Sequence, residues 1–258
     1  MANDKKFQIE LEKAAQLIRL STYTVVFTGA GISTPSGIPD FRSPHTGLWN
    51  TNDPFMVASI YSFRKNPEHF FNWIRPLAIQ AETAQPNAAH QCLAAMEKLG
   101  AIKAIITQNI DDLHQKAGSE EVLELHGNAK TATCPNCGFQ HDSQEFLHKL
   151  QDSKDLPACK KCGFIVKPDV VLFGEMLPNC VWESAQQHCL QADVILVVGS
   201  SLEVSPANSL PELSVSHGAK LIINNLSPTF LDTKADVLLP LDVTHAISGI
   251  YQILTTAE

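Results

Sequence analysis

Two Cys-x-x-Cys pairs are the residues best spaced for metal chemistry. Cys134-Pro-Asn-Cys137 and Cys159-Lys-Lys-Cys162 are separated by 21 residues, slightly beyond the usual zinc-ribbon spacing. Gly138 and Gly163 directly follow the second cysteine of each pair, which suits a tight knuckle. Two knuckles place four thiolates in a tetrahedron around Zn2+, and four protein ligands close the coordination sphere, so such a metal is structural. Lys160 and Lys161 are placed to offset the excess negative charge of four thiolates. Free cysteines, or a redox dithiol, are the alternatives.

A second feature is the run Val25-Val26-Phe27-Thr28-Gly29-Ala30-Gly31. An apolar strand entering a Gly-x-Gly turn and a short helix brings backbone N–H groups to a diphosphate. Glycine there permits positive φ and close approach. A dehydrogenase would carry a third glycine where Thr34 stands, and an acidic ribose contact about 20 residues further on. That region reads GLWNTNDPF, which weakens a hydride-transfer reading. Small or amide residues also end other strand-like runs: Gln108-Asn109-Ile110-Asp111, Gly199-Ser200-Ser201 and Asn224-Asn225. Each alone serves as a turn or cap; together they favour one crevice at the carboxyl ends of parallel strands.

The elements that must position these residues alternate along the chain. Residues 7–20 have helical apolar spacing. Short apolar runs at Tyr23–Phe27, Ala101–Thr107, Val194–Val198, Leu221–Ile223 and Val237–Leu239 suit central parallel strands covered on both faces. Helix-like stretches at His90–Leu99 and Val181–Gln191 lie between them. This predicts an α/β fold with a doubly wound, Rossmann-like parallel sheet. Residues 39–90, rich in Pro, Phe, Trp and Asn, and residues 128–175, with the paired cysteines, break the alternation. The expected division is a large domain of residues 1–38, 91–127 and 176–258. A helical insertion (39–90) and a zinc-ribbon module (128–175) then form a small domain.

Composition narrows the class. The chain has 258 residues, 44% hydrophobic and 18% charged, with a formal net charge of −8. That acidic balance argues against a dominant nucleic-acid surface. No apolar stretch approaches the roughly 20 residues that span a bilayer, and the N-terminus lacks a signal-peptide core. Seven cysteines, an odd number with paired spacing, suit a reducing compartment. A cytoplasmic protein is expected.

The segments GAGISTPSGIPDFRS, TQNIDDLH, LHGN, KPDVVLFGE, VGSSLEVSPAN and NNLSPT, with the cysteine pairs, occur in the order found in sirtuins. The chain therefore resembles the NAD-dependent protein lysine deacylases over nearly its whole length from about residue 20, as a bare catalytic core. The resemblance implies NAD as a consumed co-substrate, a structural Zn2+, and acyl-lysine proteins or peptides as partners. It implies that Gly29, Ala30 and Gly31 meet the diphosphate. In the Asp40-Phe41-Arg42 loop, Arg42 adds charge suited to phosphate and Phe41 covers the nicotinamide side. Gln108, Asn109, Ile110 and Asp111 would hold the nicotinamide ribose and carboxamide. Gly199, Ser200, Ser201, Asn225 and Leu226 would hold the adenosine half, with Asp242 and Val243 near the adenine.

His126 matches the family's catalytic base, and Asn109 is the second catalytic residue the resemblance implies. A histidine whose ordinary pKa is about 6.5 is largely neutral near pH 7 and can remove a ribose hydroxyl proton. Val171, Phe173 and Gly174 would line the acyl-lysine tunnel. The backbone there and at Val204 would take up the peptide as an added strand. Two departures are mild: Ser200 stands where threonine is frequent, and Lys167 where arginine is frequent. A third concerns specificity. Succinyl-preferring sirtuins carry Tyr-x-x-Arg, whereas Asn72 stands three residues before Arg75, so a neutral acyl group is expected. The competing readings are a protein mono-ADP-ribosyltransferase and a non-enzymatic zinc-ribbon adaptor.

Overall fold

A computed structural model describes residues 2–146 and 155–256. In chain order its strands are β1 (Thr24–Thr28), β2 (Ala104–Thr107), β3 (Val122–Glu124), β4 (Gly127–Thr133), β5 (Gln140–Asp142), β6 (Lys167–Val170), β7 (Val194–Val198), β8 (Lys220–Asn224) and β9 (Val237–Leu239). Six of them form one sheet in the order β3-β2-β1-β7-β8-β9. Every pairing in it is parallel. The other three form an antiparallel sheet in the order β5-β4-β6.

The doubly wound sheet follows from the apolar runs. All five residues of β1 and all five of β7 are buried, so side chains of both parities need a covering layer. Val26, Ile105, Leu196, Val198 and Ile222 face helices Ala2–Leu20, Ala88–Lys98 and Val243–Thr255. Val25, Phe27, Ile106, Ile195, Val197 and Ile223 face helices Asn179–Gln191 and Ser209–Ser216. Fully burying one such side chain is worth about 1.5–3 kcal/mol, so β1 and β7 anchor the molecule. Strand order reverses between them, because β2 and β3 extend one way and β8 and β9 the other.

Three expectations change. The run 101–107 is a strand only from Ala104. The half-buried Val122–Glu124, too short to register as an apolar run, supplies the edge strand β3. The helix expected after the glycine turn is instead two single 3-10 turns, Ala30–Ile32 and Thr34–Ser36. Pro35 occupies the first turn of the second one, and Gly37 ends it at φ +87°.

Within residues 39–90 the chain forms helices Pro54–Val57, Ile60–Lys65 and Pro67–Thr83. Asp53, Ser59 and Asn66 accept backbone N–H bonds as their N-caps. These caps satisfy donors that a helix start leaves unpaired. Ile60, Phe63, Phe70 and Phe71 pack with Val170 and Leu172 into a separate core. No described helix is long and apolar enough to cross a membrane.

Candidate active site

The carboxyl ends of β1 and β7 meet at the reversal of strand order, where open α/β sheets bind ligands. Gly29 N–H donates to Val198 O (3.1 Å), and Gly31 N–H donates to Gly199 O (2.9 Å). A Cβ on Gly31 would lie 2.8 Å from Gly199 Cα, and one on Gly29 would lie 2.9 Å from Gly199 O. Gly199 itself has φ +60°, and a Cβ there would lie 2.3 Å from Ile32 N. The positive φ expected in the first turn therefore belongs to Gly199, since Gly29 has φ −130°. Gly29 and Gly31 are required because two backbones cross without room for a side chain.

Beyond β2, residues 108–114 turn into the same region. Asn109 Nδ2 donates to Gly29 O and to Ser33 Oγ, both at 3.2 Å, and Ser33 Oγ donates to Asp111 Oδ2 at 2.7 Å. Asp111 Oδ1 accepts the Leu113 N–H at 3.0 Å. Burial pushes the Asp111 carboxyl upward, against the Ser33 and Leu113 hydrogen bonds that favour its charge. Beneath it, His114 Nε2 lies 3.0 Å from Thr28 Oγ1, which donates to Thr107 Oγ1 at 2.8 Å. Thr107 Oγ1 in turn accepts the Asn109 N–H at 3.0 Å. Ser33, Thr28, Thr107 and His114 were not among the expected site residues. Ser33 lies inside the GAGIS run, which was the available signal.

Gln108 Nε2 donates to Ser200 Oγ (2.9 Å), which also accepts the Leu202 N–H (3.2 Å). That oxygen keeps its own proton to donate. His126 follows β3 and has Nδ1 3.0 Å from Gln108 O. A carbonyl only accepts, so Nδ1 carries the hydrogen and Nε2 keeps its lone pair. Burial lowers the imidazole pKa and outweighs the Gln108 bond that raises it. The ring is neutral at pH 7 with an unbonded basic nitrogen.

The Asp40-Phe41-Arg42 loop is closed on itself. Asp40 Oδ1 accepts from Arg42 N (2.9 Å) and Ser43 N (2.6 Å). Phe41 stacks on Trp49 at 4.9 Å, and Trp49 on Trp73 at 5.8 Å. Arg42 Nε pairs with Glu203 Oε2 at 2.8 Å, bridging this loop to the one after β7.

In the segment 170–175, Val171 N–H donates to His126 O (2.8 Å), which ties it to that residue. Phe173 pairs with Ala58 O and Ile60 N, and its ring packs on Phe55 at 5.2 Å. Glu175 accepts from Leu172 N and Lys167 Nζ, each at 2.9 Å. These bonds skip Gly174, which has φ +88°. The Val204 carbonyl accepts from Asn208 N (2.9 Å) within its own turn. Arg75 donates to Asn72 Oδ1 at 3.3 Å, while its Nε and Nη2 are buried without a partner.

On the far side, Asn225 Nδ2 donates to Ser227 O (2.7 Å), and Leu226 is 70% exposed. Asp242 caps the last helix through Thr244 N and His245 N, with Val243 buried at its start. Ala30, Ile110 and Ser201 are half-buried around the cleft.

The four paired cysteines come together apart from this chemistry. Their sulfurs all lie within 4.8 Å of one another. Cys134 and Cys162 are 3.5 Å apart, and Cys137 and Cys159 are 3.7 Å apart. A tetrahedral Zn–S bond of about 2.3 Å sets sulfurs about 3.8 Å apart, and a disulfide would need about 2.05 Å. The cluster fits a four-thiolate zinc site. Gly138 (φ +69°) and Gly163 (φ +75°) form the knuckles. Lys160, beside the cluster, pairs with Glu145 at 2.7 Å.

A model of the Sir2 family matches residues 29–206. A protein named NAD-dependent protein deacetylase from Sulfurisphaera tokodaii is 48% identical over 231 residues, 90% of each chain. One named NAD-dependent protein deacylase 2 from Archaeoglobus fulgidus is 46% identical over 229 residues, 88% of this chain and 89% of that one. A structure solved for the mechanism and regulation of Sir2 enzymes superposes with a TM-score of 0.92 at 42% identity, covering 97% of this chain and 100% of its own. A Sir2 variant holding a deacetylated p53 peptide and 3'-O-acetyl ADP ribose superposes at 0.90 with 38% identity, covering 94% and 97%. On this agreement of sequence, cleft and cysteine cluster, the chain belongs to the Sir2 family.

Proposed function

We infer that this protein is an NAD-dependent protein lysine deacylase. His126 carries this reading: a neutral imidazole with Nδ1–H fixed on Gln108 O, which leaves the Nε2 lone pair as its base. When bound, NAD supplies a sugar carbon whose bond to nicotinamide breaks as the acyl oxygen of the lysine attacks it. The acyl group would leave on ADP-ribose, with one water consumed and nicotinamide and the free lysine amine released. His126 takes the proton of a ribose hydroxyl at Nε2 during that transfer. Asn109, held by Gly29 O and Ser33, presents its amide to the nicotinamide end. The diphosphate is placed at the crossing of Gly29, Gly31 and Gly199, where no side chain intervenes although the three N–H groups are already bonded to backbone, and Ser200 keeps a hydroxyl proton for the adenosine half. Arg42, with its Nε paired to Glu203, offers the rest of its guanidinium to phosphate, while Phe41, backed by Trp49, screens the reacting sugar.

The substrate peptide lies against Gly174 and the Val204 N–H, the backbone positions their own turns leave over. Val171 and Phe173 line the path of the acyl-lysine. We assign residues 1–38, 91–127 and 176–258 to the NAD-binding domain, and 39–90 with 128–175 to the small domain; residues 147–154 lie outside those described. Four thiolates leave zinc no open position, so the metal holds the small sheet together and takes no part in the chemistry. Cytoplasmic action on acyl-lysine proteins or peptides fits this reading, with a neutral acyl such as acetyl preferred.

The test is His126→Ala assayed for peptide deacetylation and, separately, for NAD binding. Loss of deacetylation by about 100-fold or more with NAD binding retained is expected for a general base. A fully active variant would remove His126 from the mechanism.

A further inference from the structure

The cysteine cluster has one more buried polar side chain against it. His141, on β5, is 3% exposed, and its Nε2 lies 3.4 Å from the sulfur of Cys159. The ring sits between Phe139 and Phe146, edge to face, with centroids at 4.8 and 5.2 Å. It cannot turn away without unpacking both. Cys159 is also 3% exposed and receives the Lys161 backbone N–H at 3.4 Å. On the outer side, Glu145 Oε2 stands 3.8 Å from His141 Nδ1, and Lys160 holds the other Glu145 oxygen at 2.7 Å.

A metal-bound thiolate has no proton to give. A ring nitrogen aimed at it from hydrogen-bond distance must therefore be the donor, so Nε2 carries the hydrogen. Four thiolates around one divalent ion leave excess negative charge in a buried place, and N–H donors on sulfur spread it. Partners of this kind orient the ligands, and losing one costs about 10–100-fold in metal affinity. The opposite, exposed sulfur, Cys162, takes the Phe164 backbone N–H and Asn136 Nδ2 (3.6 Å), with no ring donor. His141 is thus the sole ring donor on the cluster among the described residues, and it acts on the buried half.

We propose that His141 is a positioning residue of the zinc centre, its Nε2–H fixing the Cys159 thiolate and slowing loss of the metal. This rests on the zinc reading of the four cysteines. The test compares wild-type protein, His141→Phe and His141→Gln, each purified with its zinc, for the rate of metal transfer to an excess of a coloured chelator. His141→Phe keeps the aromatic packing without the donor and should release zinc about 10–100-fold faster. His141→Gln restores a side-chain N–H and should recover part of the difference, with unchanged far-UV circular dichroism for both. Release from His141→Phe at the wild-type rate overturns the proposal. Nitrogen-15 shifts of wild-type His141 give a readout that needs no variant: hydrogen on Nε2 is expected, and a neutral ring with hydrogen only on Nδ1 also overturns it. Wild-type protein that retains no zinc would instead fail the cysteine reading itself.

Discussion

His90 gives a prediction whose size comes directly from the structure. It is fully buried in helix Ala88–Lys98, with neither ring nitrogen hydrogen-bonded. Its ring meets that of His114 edge to face at 4.9 Å, below the Ser33–Asn109–Asp111 network. Burial lowers the His90 pKa to about 4 from an ordinary 6.5. Above pH 6.5 the ring is neutral in both folded and unfolded chains and adds no pH dependence. Below pH 6.5 the unfolded chain takes up the proton while the folded one does not. Stability then falls by about 1.4 kcal/mol per pH unit, until the folded ring also titrates near pH 4. Between pH 7.5 and pH 5.0 this amounts to about 2 kcal/mol from His90 alone. His90→Phe keeps the aromatic contact and removes the titration. Urea unfolding of both proteins at the two pH values should show the variant losing about 2 kcal/mol less than wild type. Any packing change that does not vary with pH cancels in that difference, as does acid loss of zinc common to both proteins. Equal losses in the two proteins would refute the reasoning.

Three further outcomes follow from the site. Gly199→Ala forces a side chain into φ +60° with its Cβ 2.3 Å from Ile32 N. It should cost at least about 2 kcal/mol and raise the KM for NAD, read by thermal unfolding and initial rates. The pH profile of kcat/KM should fall on the acid side with an apparent pKa below 6.5, because burial holds His126 neutral and the neutral form is the base; an apparent value above 6.5 would contradict that assignment. Glu203→Gln releases Arg42 from an exposed pair worth at most about 1 kcal/mol, so the NAD KM should drop by no more than about fivefold; an increase would show that Glu203 assists binding.

The sheet was legible because both of its faces are covered over β1, β7 and β8, which leaves them as unbroken apolar runs, while the edge strand β9 exposes Leu238. The cysteine pairs were legible because ligand spacing within a knuckle is local. What escaped depends on contacts between distant residues. Ser33 meets Asp111 across 78 positions, and Thr28 meets Thr107 across 79. A serine or threonine in a turn gives no sign of such a partner. The glycines of the first turn were read for phosphate, whereas their immediate constraint is the Gly199 backbone, which only the paired strands bring near. Lys160 shows a charge in the sequence, but only the fold places Glu145 against it.

In deacylation by this family member the acyl group leaves on ADP-ribose while NAD is consumed. Mass spectrometry of one reaction of an acetyl-lysine peptide, with and without NAD, tests it most directly. One nicotinamide and one O-acetyl-ADP-ribose are expected for each lysine freed, with no reaction without NAD. Free acetate with intact NAD, or ADP-ribosylated protein without deacetylated peptide, would contradict it.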